Sequence, residues 1–452
     1  MAKPLLKEYN QHRPLGPQRY ACYAPFKSIY FGHHGRAIAC CYNRTHLLGE
    51  YPKNSIKDIW FGAEADKLRE FIKHDDLSLG CTGCKQQLVA GNFDAVKAKQ
   101  YDERTMNRNR YPSVMEFELS NICNLECEMC SGDFSSLIRT KREKLPPLEM
   151  AYDDAFVKQL EEFIPYLDEV KFYGGEPFLI EIYYQIWEKI MEINPKVRIS
   201  VQTNATVLNN RVKRILENTD FHINVSFDSL QKETYESIRI NADFERTLEN
   251  MKWFRDYAKS RNTFFGISAC AMQQNWRELP DFIKFCNEWD VPVYFHTVFF
   301  PTHCSIREMP GDQLQEVNNY LAGFSFPNGT PVEQKNFQHY EGIKSQIAAW
   351  LQDSASRTKI KTDKLESLTD LESLVIEHIR NDKAQEEGKR EERIKNIKEK
   401  FAVLNAEIDP EKFRKMTDEI RRNDPFLFDN IAFQIESIPA AQLVLMANAN
   451  FK

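Results

Sequence analysis

The sequence lacks the features that define several broad classes of protein. It contains no run of about 18 consecutive apolar residues, so no transmembrane helix is predicted. The stretch from Met1 to Leu15 has no apolar segment of the kind found in signal peptides, which indicates a cytoplasmic protein. A formal net charge of −6 provides no basic footprint for nucleic acid. Neither a membrane nor a nucleic acid is therefore an expected partner.

Cysteine, by contrast, is plentiful: the chain has 11. In a chain expected to be cytoplasmic, so many cysteines indicate metal or redox chemistry rather than disulfides. Cys123, Cys127 and Cys130 form a C-x3-C-x2-C loop directly after a strand-like run at residues 114–119. Three thiolates on a four-iron cluster leave one iron open to a small molecule, whereas a structural zinc site is closed by four ligands. The loop therefore predicts an iron–sulfur site, with zinc as the alternative.

The middle of the chain alternates between strand-like and helical patterns. The predicted strands are residues 114–119, 169–173, 197–202, 222–227, 264–269 and 293–299. Such alternation predicts an α/β fold, a parallel sheet with right-handed crossovers. Six units are too few for a closed eight-stranded barrel.

Turns whose residues could bind a ligand follow the second, third and fourth of these strands. They hold Gly174, Gly175, Glu176, Asn204, Ser226 and Asp228, and Arg239 follows some way beyond. Glycines allow the backbone to approach a ligand closely, and a guanidinium suits a carboxylate. The alternative interpretation is a plain strand-to-helix connection, strand-end caps and a surface ion pair.

The three-cysteine loop and the Gly-Gly-Glu-Pro turn one unit later resemble the radical S-adenosylmethionine (SAM) enzymes. The resemblance implies a partial (β/α)6 barrel, a [4Fe–4S] cluster on the three cysteines, and SAM on the open iron. It implies that Gly174, Gly175 and Glu176 bind the amino group of SAM, and that Arg239 binds its carboxylate. Asn204, Ser226 and Asp228 are implied as further SAM contacts. Met129 and the fifth strand depart from the family pattern, so no adenine contacts are assigned.

The N-terminal segment carries a second cysteine set, Cys22, Cys40, Cys81 and Cys84. Residues 26–31 and 36–41 predict a hairpin that brings the first two together. The pattern resembles the twitch domain, a truncated SPASM domain, which implies an auxiliary [4Fe–4S] cluster on these four thiolates. Because Cys41 adjoins Cys40, either of the two thiols can be the ligand. A structural zinc site is the alternative to a cluster. In relatives this domain usually follows the barrel, whereas here it precedes it.

Three domains are predicted: the cluster domain over residues 1–105, the barrel over 106–305 and a helical region over 306–452. Amphipathic patterns at residues 343–351, 368–379 and 413–420 predict helices in the last of these. Cys304, after the sixth strand, is a candidate hydrogen donor to a substrate radical. An inert buried thiol is the alternative.

The resemblance implies an enzyme that cleaves SAM reductively to a 5′-deoxyadenosyl radical and takes hydrogen from a peptide or natural-product substrate. A reducing protein such as flavodoxin or ferredoxin is the expected electron source. One alternative is a small-molecule dehydrogenase whose auxiliary cluster accepts an electron. The other is a non-catalytic zinc-binding interaction protein, which leaves the Gly-Gly-Glu-Pro turn unexplained.

Overall fold

The computed structural model describes residues 3–89, 91–357, 367–381 and 387–409, and a few positions between 411 and 444. In these residues one sheet has the strand order β3-β2-β1-β4-β5-β6-β7-β8-β9. The strands are β1 (Ser28–Phe31), β2 (Arg36–Ile38), β3 (Gly49–Glu50), β4 (Val114–Phe117), β5 (Glu169–Phe172), β6 (Arg198–Thr203), β7 (Phe221–Ser226), β8 (Phe265–Ala271) and β9 (Val293–Thr297).

Helices surround this sheet and extend beyond it. In the N-terminal third they are α1 (Lys3–Gln11), α2 (Ala24–Lys27), α3 (Ile56–Phe61), α4 (Ala63–Lys73) and α5 (Thr82–Val89). Along the barrel they are α6 (Asp154–Leu160), α7 (Glu181–Ile193), α8 (Asn210–Asn218), α9 (Lys232–Ile238), α10 (Phe244–Arg261) and α11 (Leu279–Glu288). Beyond it lie α12 (Gly311–Ala322), α13 (Pro331–Arg357), α14 (Leu368–Asn381) and α15 (Glu387–Glu407).

Strands β4 to β9 are the six predicted strands, each within two residues of its predicted bounds. They pair in parallel and in chain order. The predicted α/β class with a partial parallel barrel is therefore confirmed.

The predicted N-terminal hairpin is also present, with Phe31 of β1 opposite Ala37 of β2. Its turn requires Gly35, because φ there is +76° and a Cβ would lie 1.8 Å from the carbonyl oxygen of Tyr51. Strand β1 additionally pairs in parallel with β4, placing Phe31 beside Phe117. One sheet thus runs across the predicted boundary at residue 105. The domain bounds themselves remain a prediction.

The parallel strands alternate between two environments. Ile199 and Val201 of β6 are buried, whereas Ser200 and Gln202 between them are partly exposed, and β7 repeats the pattern. Because successive side chains of a strand point to opposite faces, the apolar residues pack under the helices and the polar ones face the barrel interior. That interior is therefore polar and partly open to solvent.

The C-terminal helices fall into two groups. Helix α13 runs beside the last strand: Asn336 Oδ1 accepts from the backbone N–H of Val293 at 2.8 Å, and Gln346 Oε1 accepts from Thr297 Oγ1 at 2.6 Å. Helices α14 and α15 share a separate apolar cluster. Residues 343–351 and 368–379 are helical as predicted, and residues 413–420 lie outside the described part. None of the helices described has the length and apolar character to cross a membrane.

Candidate functional site

The three-cysteine loop and the glycine turn lie side by side at one end of the barrel. The N–H of Gly175 donates to the Ser120 carbonyl at 3.0 Å, and that of Glu176 donates to the Ile122 carbonyl at 2.7 Å. A Cβ on Gly174 would lie 2.5 Å from the Ser120 oxygen, and one on Gly175 would lie 2.1 Å from the Ile122 oxygen. Both glycines are therefore needed to let the turn pack against the backbone that leads into the cysteine loop.

Glu176 is fully buried and joins the ends of two strands. Its carboxylate accepts from the N–H of Asn204 at 2.7 Å, from Thr203 Oγ1 at 2.8 Å and from the N–H of Phe178 at 3.1 Å. Burial raises the pKa of Glu176 to about 7, against the opposite effect of these hydrogen bonds. Its predicted contact with SAM stays a prediction, whereas its hold on Asn204 is part of the fold.

Two side chains beyond the glycine turn reach the cysteine thiols. Asn204 Nδ2 lies 3.9 Å from Cys123 Sγ, and Arg239 Nη1 lies 4.0 Å from Cys127 Sγ. Burial raises the pKa of Cys123 to about 12 and also raises the pKa values of Cys127 and Cys130. N–H groups directed at sulfur favour the thiolate form, and they tune a cluster that the thiolate holds. The donor set thus fits a thiolate-bound cluster.

Arg239 is a buried cation whose Nε is available to donate a hydrogen bond to a ligand. Its Nη2 lies 2.7 Å from Asp228 Oδ2, and Asp228 Oδ1 accepts from the N–H of Cys270 at 2.6 Å. Arg239 Nε is buried and has no hydrogen-bond partner in the described residues. A buried donor of this kind is normally satisfied, and a carboxylate is a suitable acceptor. The geometry therefore fits the predicted contact of Arg239 with the SAM carboxylate, and leaves Asp228 as its ion-pair partner.

One cavity beside the β1–β2 hairpin is lined by all four cysteines predicted to hold the auxiliary cluster, Cys22, Cys40, Cys81 and Cys84. The N–H of Ala24 lies 3.3 Å from Cys22 Sγ, and Asn43 Nδ2 lies 3.4 Å from Cys81 Sγ. The N–H of Ala98 donates to Cys84. These donors again suit thiolate ligands of a cluster.

Cys41 faces away from that cavity. Its thiol lies near Glu116, Arg44 and Lys171, on the side of the barrel interior, and it is absent from the cavity lining. The geometry favours Cys40 as the cavity ligand of the pair.

Sequence reasoning missed Asn43, which is buried and also donates to the Leu79 carbonyl at 3.0 Å. Its one available signal was its place in the turn directly after Cys40 and Cys41. No group of three or more His, Cys, Asp or Glu side chains in the described part is arranged to hold a single metal ion. A four-iron cluster differs from a single ion because its irons and sulfides lie between the thiolates.

Cys304 is fully buried, and Gln274 Nε2 lies 3.5 Å from its sulfur. It packs with Ile238, Met272 and Val298. Burial raises the pKa of Cys304 to about 11. These surroundings match a core thiol, and the role of hydrogen donor stays a prediction.

A hydrogen-bonded row of polar side chains crosses the barrel interior. Gln202 Nε2 donates to Ser226 Oγ at 2.6 Å, and Asn224 Nδ2 donates to Gln202 Oε1 at 2.6 Å. Asn224 Nδ2 also lies 2.5 Å from Ser268 Oγ, which is 3.2 Å from His296 Nε2. Of the five residues, sequence reasoning singled out Ser226 alone. The polar positions that alternate with apolar ones in the predicted strands were the available signal for the others.

Family models match the two segments that contain the cysteine sites. Residues 117–286 match the model of the radical SAM superfamily, and residues 22–85 match that of an iron–sulfur cluster-binding domain, SPASM. The chain therefore carries a radical SAM domain. Its SPASM-type domain contains the four cavity cysteines and precedes the barrel, so the predicted domain order is confirmed. These two domains imply a [4Fe–4S] cluster with SAM and an auxiliary iron–sulfur cluster as cofactors.

Curated relatives of the chain include cyclases. The probable GTP 3′,8-cyclase of Methanocaldococcus jannaschii is 28% identical over 174 residues, which are 38% of this chain and 55% of the relative. The GTP 3′,8-cyclase of Limosilactobacillus fermentum is 26% identical over 216 residues, 46% of this chain and 60% of the relative. The chain thus spans little more than half the length of these two relatives.

Solved structures that match part of the chain include the following two. That of anSMEcpe with bound AdoMet has a TM-score of 0.36 at 19% identity, covering 46% of this chain and 60% of the other. That of Streptococcus suis SuiB bound to S-adenosylmethionine has a TM-score of 0.35 at 13% identity, covering 57% of this chain and 61% of the other.

Proposed function

We propose that this protein is an enzyme that cleaves SAM reductively and uses the 5′-deoxyadenosyl radical to take hydrogen from a peptide or natural-product substrate. The observation that carries the proposal is the convergence of Asn204 and Arg239 on the thiols of Cys123 and Cys127. Residues from distant parts of the chain thus surround the loop that supplies the open iron.

Each residue around the loop has a distinct task in this proposal. Cys123, Cys127 and Cys130 hold the cluster. Arg239 Nε binds the SAM carboxylate, while Asp228 keeps the guanidinium in place through its 2.7 Å ion pair. Glu176 acts through Asn204, whose backbone N–H it accepts. Ser226 is the last residue of the hydrogen-bonded row, and it faces the cofactor or the substrate.

The substrate occupies the polar interior of the barrel, between the two cysteine sites. The 3₁₀ helix Lys97–Tyr101 contacts both the auxiliary cavity and the barrel. Its Lys97, Ala98 and Tyr101 line the cavity, and Tyr101 OH also lies 3.4 Å from Glu116 Oε1 of the barrel. If the four cavity cysteines hold the auxiliary cluster, this short segment would lie between the cluster and a substrate in the barrel, and the cluster would supply redox chemistry there. A reducing protein such as flavodoxin or ferredoxin supplies the first electron.

A second candidate is a small-molecule dehydrogenase that uses the same two sites. The relatives named GTP 3′,8-cyclase favour a small-molecule substrate, because the substrate in their name is a small molecule. Incubation with candidate peptides and with small metabolites, read as substrate-dependent 5′-deoxyadenosine, distinguishes the two.

The test of the proposed function combines iron content with SAM cleavage. Anaerobically reconstituted protein should hold about eight irons per chain, and it should form 5′-deoxyadenosine from SAM under reduction. A variant with Cys123, Cys127 and Cys130 all replaced by Ala should keep about four irons and lose the cleavage. Unchanged iron in that variant, or no 5′-deoxyadenosine from iron-replete wild type, would overturn the proposal.

A further inference from the structure

Most charged side chains on the β4 side of the barrel interior lie beside an opposite charge. Glu116 Oε2 lies 3.9 Å from Lys171 Nζ, and Glu118 Oε2 lies 3.9 Å from Arg44 Nη2. Both carboxylates are buried, and unpaired charges there would be costly. This side of the interior is therefore close to electrically neutral.

The side formed by β9 is different, because basic residues from three parts of the chain meet there. We call them the β9 basic cluster: Lys97, His296, Lys335 and His339. His296 belongs to β9 and reaches Ser268 in the polar row at 3.2 Å. The ring of His339, on α13, lies 4.7 Å from that of Tyr294 on β9. Lys97 comes from the 3₁₀ helix that contacts both the auxiliary cavity and the barrel.

The charges that act on the two histidines are mostly of the same sign. Burial lowers the pKa of His339, and repulsion from His296, Lys97 and Lys335 lowers it further. Burial and repulsion from Lys97 lower the pKa of His296, and Asp228 acts in the opposite direction. That carboxylate is already paired with Arg239. At neutral pH the positive charge of the β9 basic cluster therefore belongs to Lys97 and Lys335, and the two imidazoles contribute N–H donors.

Lys97 can have a second electrostatic role, since it also lies near the thiol of Cys84. It can offset negative charge at the auxiliary cluster, so an experiment on Lys97 alone would be ambiguous. Lys335 and His339 lie on α13 instead, and they are the better probes. Lys335 is exposed and His339 is half-buried, so both are open to a ligand.

We propose that the β9 basic cluster binds an anionic group of the substrate, a carboxylate or a phosphate. Ammonium and imidazole N–H groups are donors to such oxygens, and positive charge beside a cleft raises the local concentration of anions. Anchoring the anion at β9 places the rest of the molecule along the polar row that ends at Ser226. The inference rests on the proposed function, because it locates the substrate of that same site.

The test uses inorganic phosphate and acetate as probes on the full-length, cluster-loaded protein with SAM bound. Isothermal titration calorimetry compares wild type with the double variant Lys335→Gln/His339→Gln. The matched control is Lys252→Gln, which removes an exposed lysine from α10 on the outside of the barrel. The double variant should bind the preferred anion at least about tenfold more weakly, a loss of about 1.4 kcal/mol or more, and the control should match wild type. The stronger probe tells whether the substrate anion is a phosphate or a carboxylate.

Equal anion affinity in wild type and double variant, or no anion binding by wild type, overturns the proposal. SAM cleavage without substrate should be the same in all three proteins. If cleavage is absent from wild type as well, the proposed function has failed rather than the anion site. Should the double variant not fold, Lys335→Glu replaces it: the exposed charge reversal should weaken anion binding still more, and unchanged binding would overturn the proposal.

Discussion

Glu176 illustrates how a motif residue acts through its neighbours. Its carboxylate is buried and accepts three hydrogen bonds, from Asn204, Thr203 and Phe178. Asn204 in turn places its amide against Cys123 and donates to Asn124 Oδ1 at 3.1 Å. A change at Glu176 therefore moves the group that contacts the cluster thiol.

Glu176→Gln should lower the free energy of unfolding by about 1.5–3 kcal/mol, the range for hydrogen bonds to a charged group. The physical reason is that the amide NH2 would face N–H donors. SAM affinity should fall as well, because Asn204 shifts. Equilibrium denaturation and SAM binding at equal iron loading measure the two effects. Glu188→Gln, on the exposed side of α7, is the control, and a Glu176→Gln variant as stable as that control would contradict the prediction.

Gly175 sets the spacing between the glycine turn and the cysteine loop. Gly175→Ala should displace the loop, because its Cβ would lie 2.1 Å from the Ile122 oxygen. Iron content should therefore fall from about eight towards about four per chain, with loss of 5′-deoxyadenosine formation. Gly342→Ala is the matched control, since a Cβ there meets nothing within 4 Å. Full iron content in the Gly175 variant would contradict this account.

At the scale of elements, the β1–β2 hairpin presents two adjacent cysteines to different surroundings. Cys40 lines the auxiliary cavity, while Cys41 lies near Glu116 and Lys171 of the barrel. Cys40 and Cys41 lie in the bend and turn that follow β2, and their thiols have different neighbours. One thiol therefore cannot replace the other without a change in the backbone.

Cys40→Ala should therefore reduce iron to about four per chain, and Cys41→Ala should leave about eight. Because the barrel loop holds the other cluster, both variants should still form 5′-deoxyadenosine from SAM. Iron analysis with electron paramagnetic resonance of the reduced proteins separates the two clusters. If Cys40→Ala retains both clusters, Cys41 serves as a ligand and the assignment is reversed.

At the scale of the whole molecule, the N-terminal segment and the barrel share one sheet. Strand β1 covers the edge of β4, and the ring of Phe31 lies 6.0 Å from that of Phe117 and 5.1 Å from that of Phe156. Removing β1 would expose the backbone groups of β4 and this aromatic cluster to water. An exposed strand edge of that kind favours aggregation.

A shortened protein that begins at residue 106 should therefore be insoluble or aggregated. One that ends at residue 357 should stay folded and cleave SAM, because α14 and α15 have their own apolar cluster. Size-exclusion chromatography and circular dichroism compare the two with the full chain. A soluble, monomeric barrel lacking the first 105 residues would show that β1 is dispensable for folding.

Local patterns in the sequence account for much of this architecture. The six barrel strands were predicted within two residues because apolar and polar positions alternate between helical segments. The hairpin followed from two strand-like runs around Gly35, whose positive φ an L-residue rarely adopts. The spacing of the cysteines predicts the cluster chemistry of both motifs, and each motif lies within one stretch of the chain. For these reasons the sequence by itself determined the fold class and the radical SAM and SPASM matches.

The tertiary structure alone decided which distant residues share a space. The pairing of β1 with β4 has no local signal, since the backbone groups of an edge strand accept any neighbour. The different surroundings of Cys40 and Cys41 depend on where the hairpin lies against the barrel. The contact of His339 of α13 with Tyr294 of β9 depends on how that helix packs along the last strand. Each of these joins residues far apart in the chain, and packing rather than sequence periodicity brings them together.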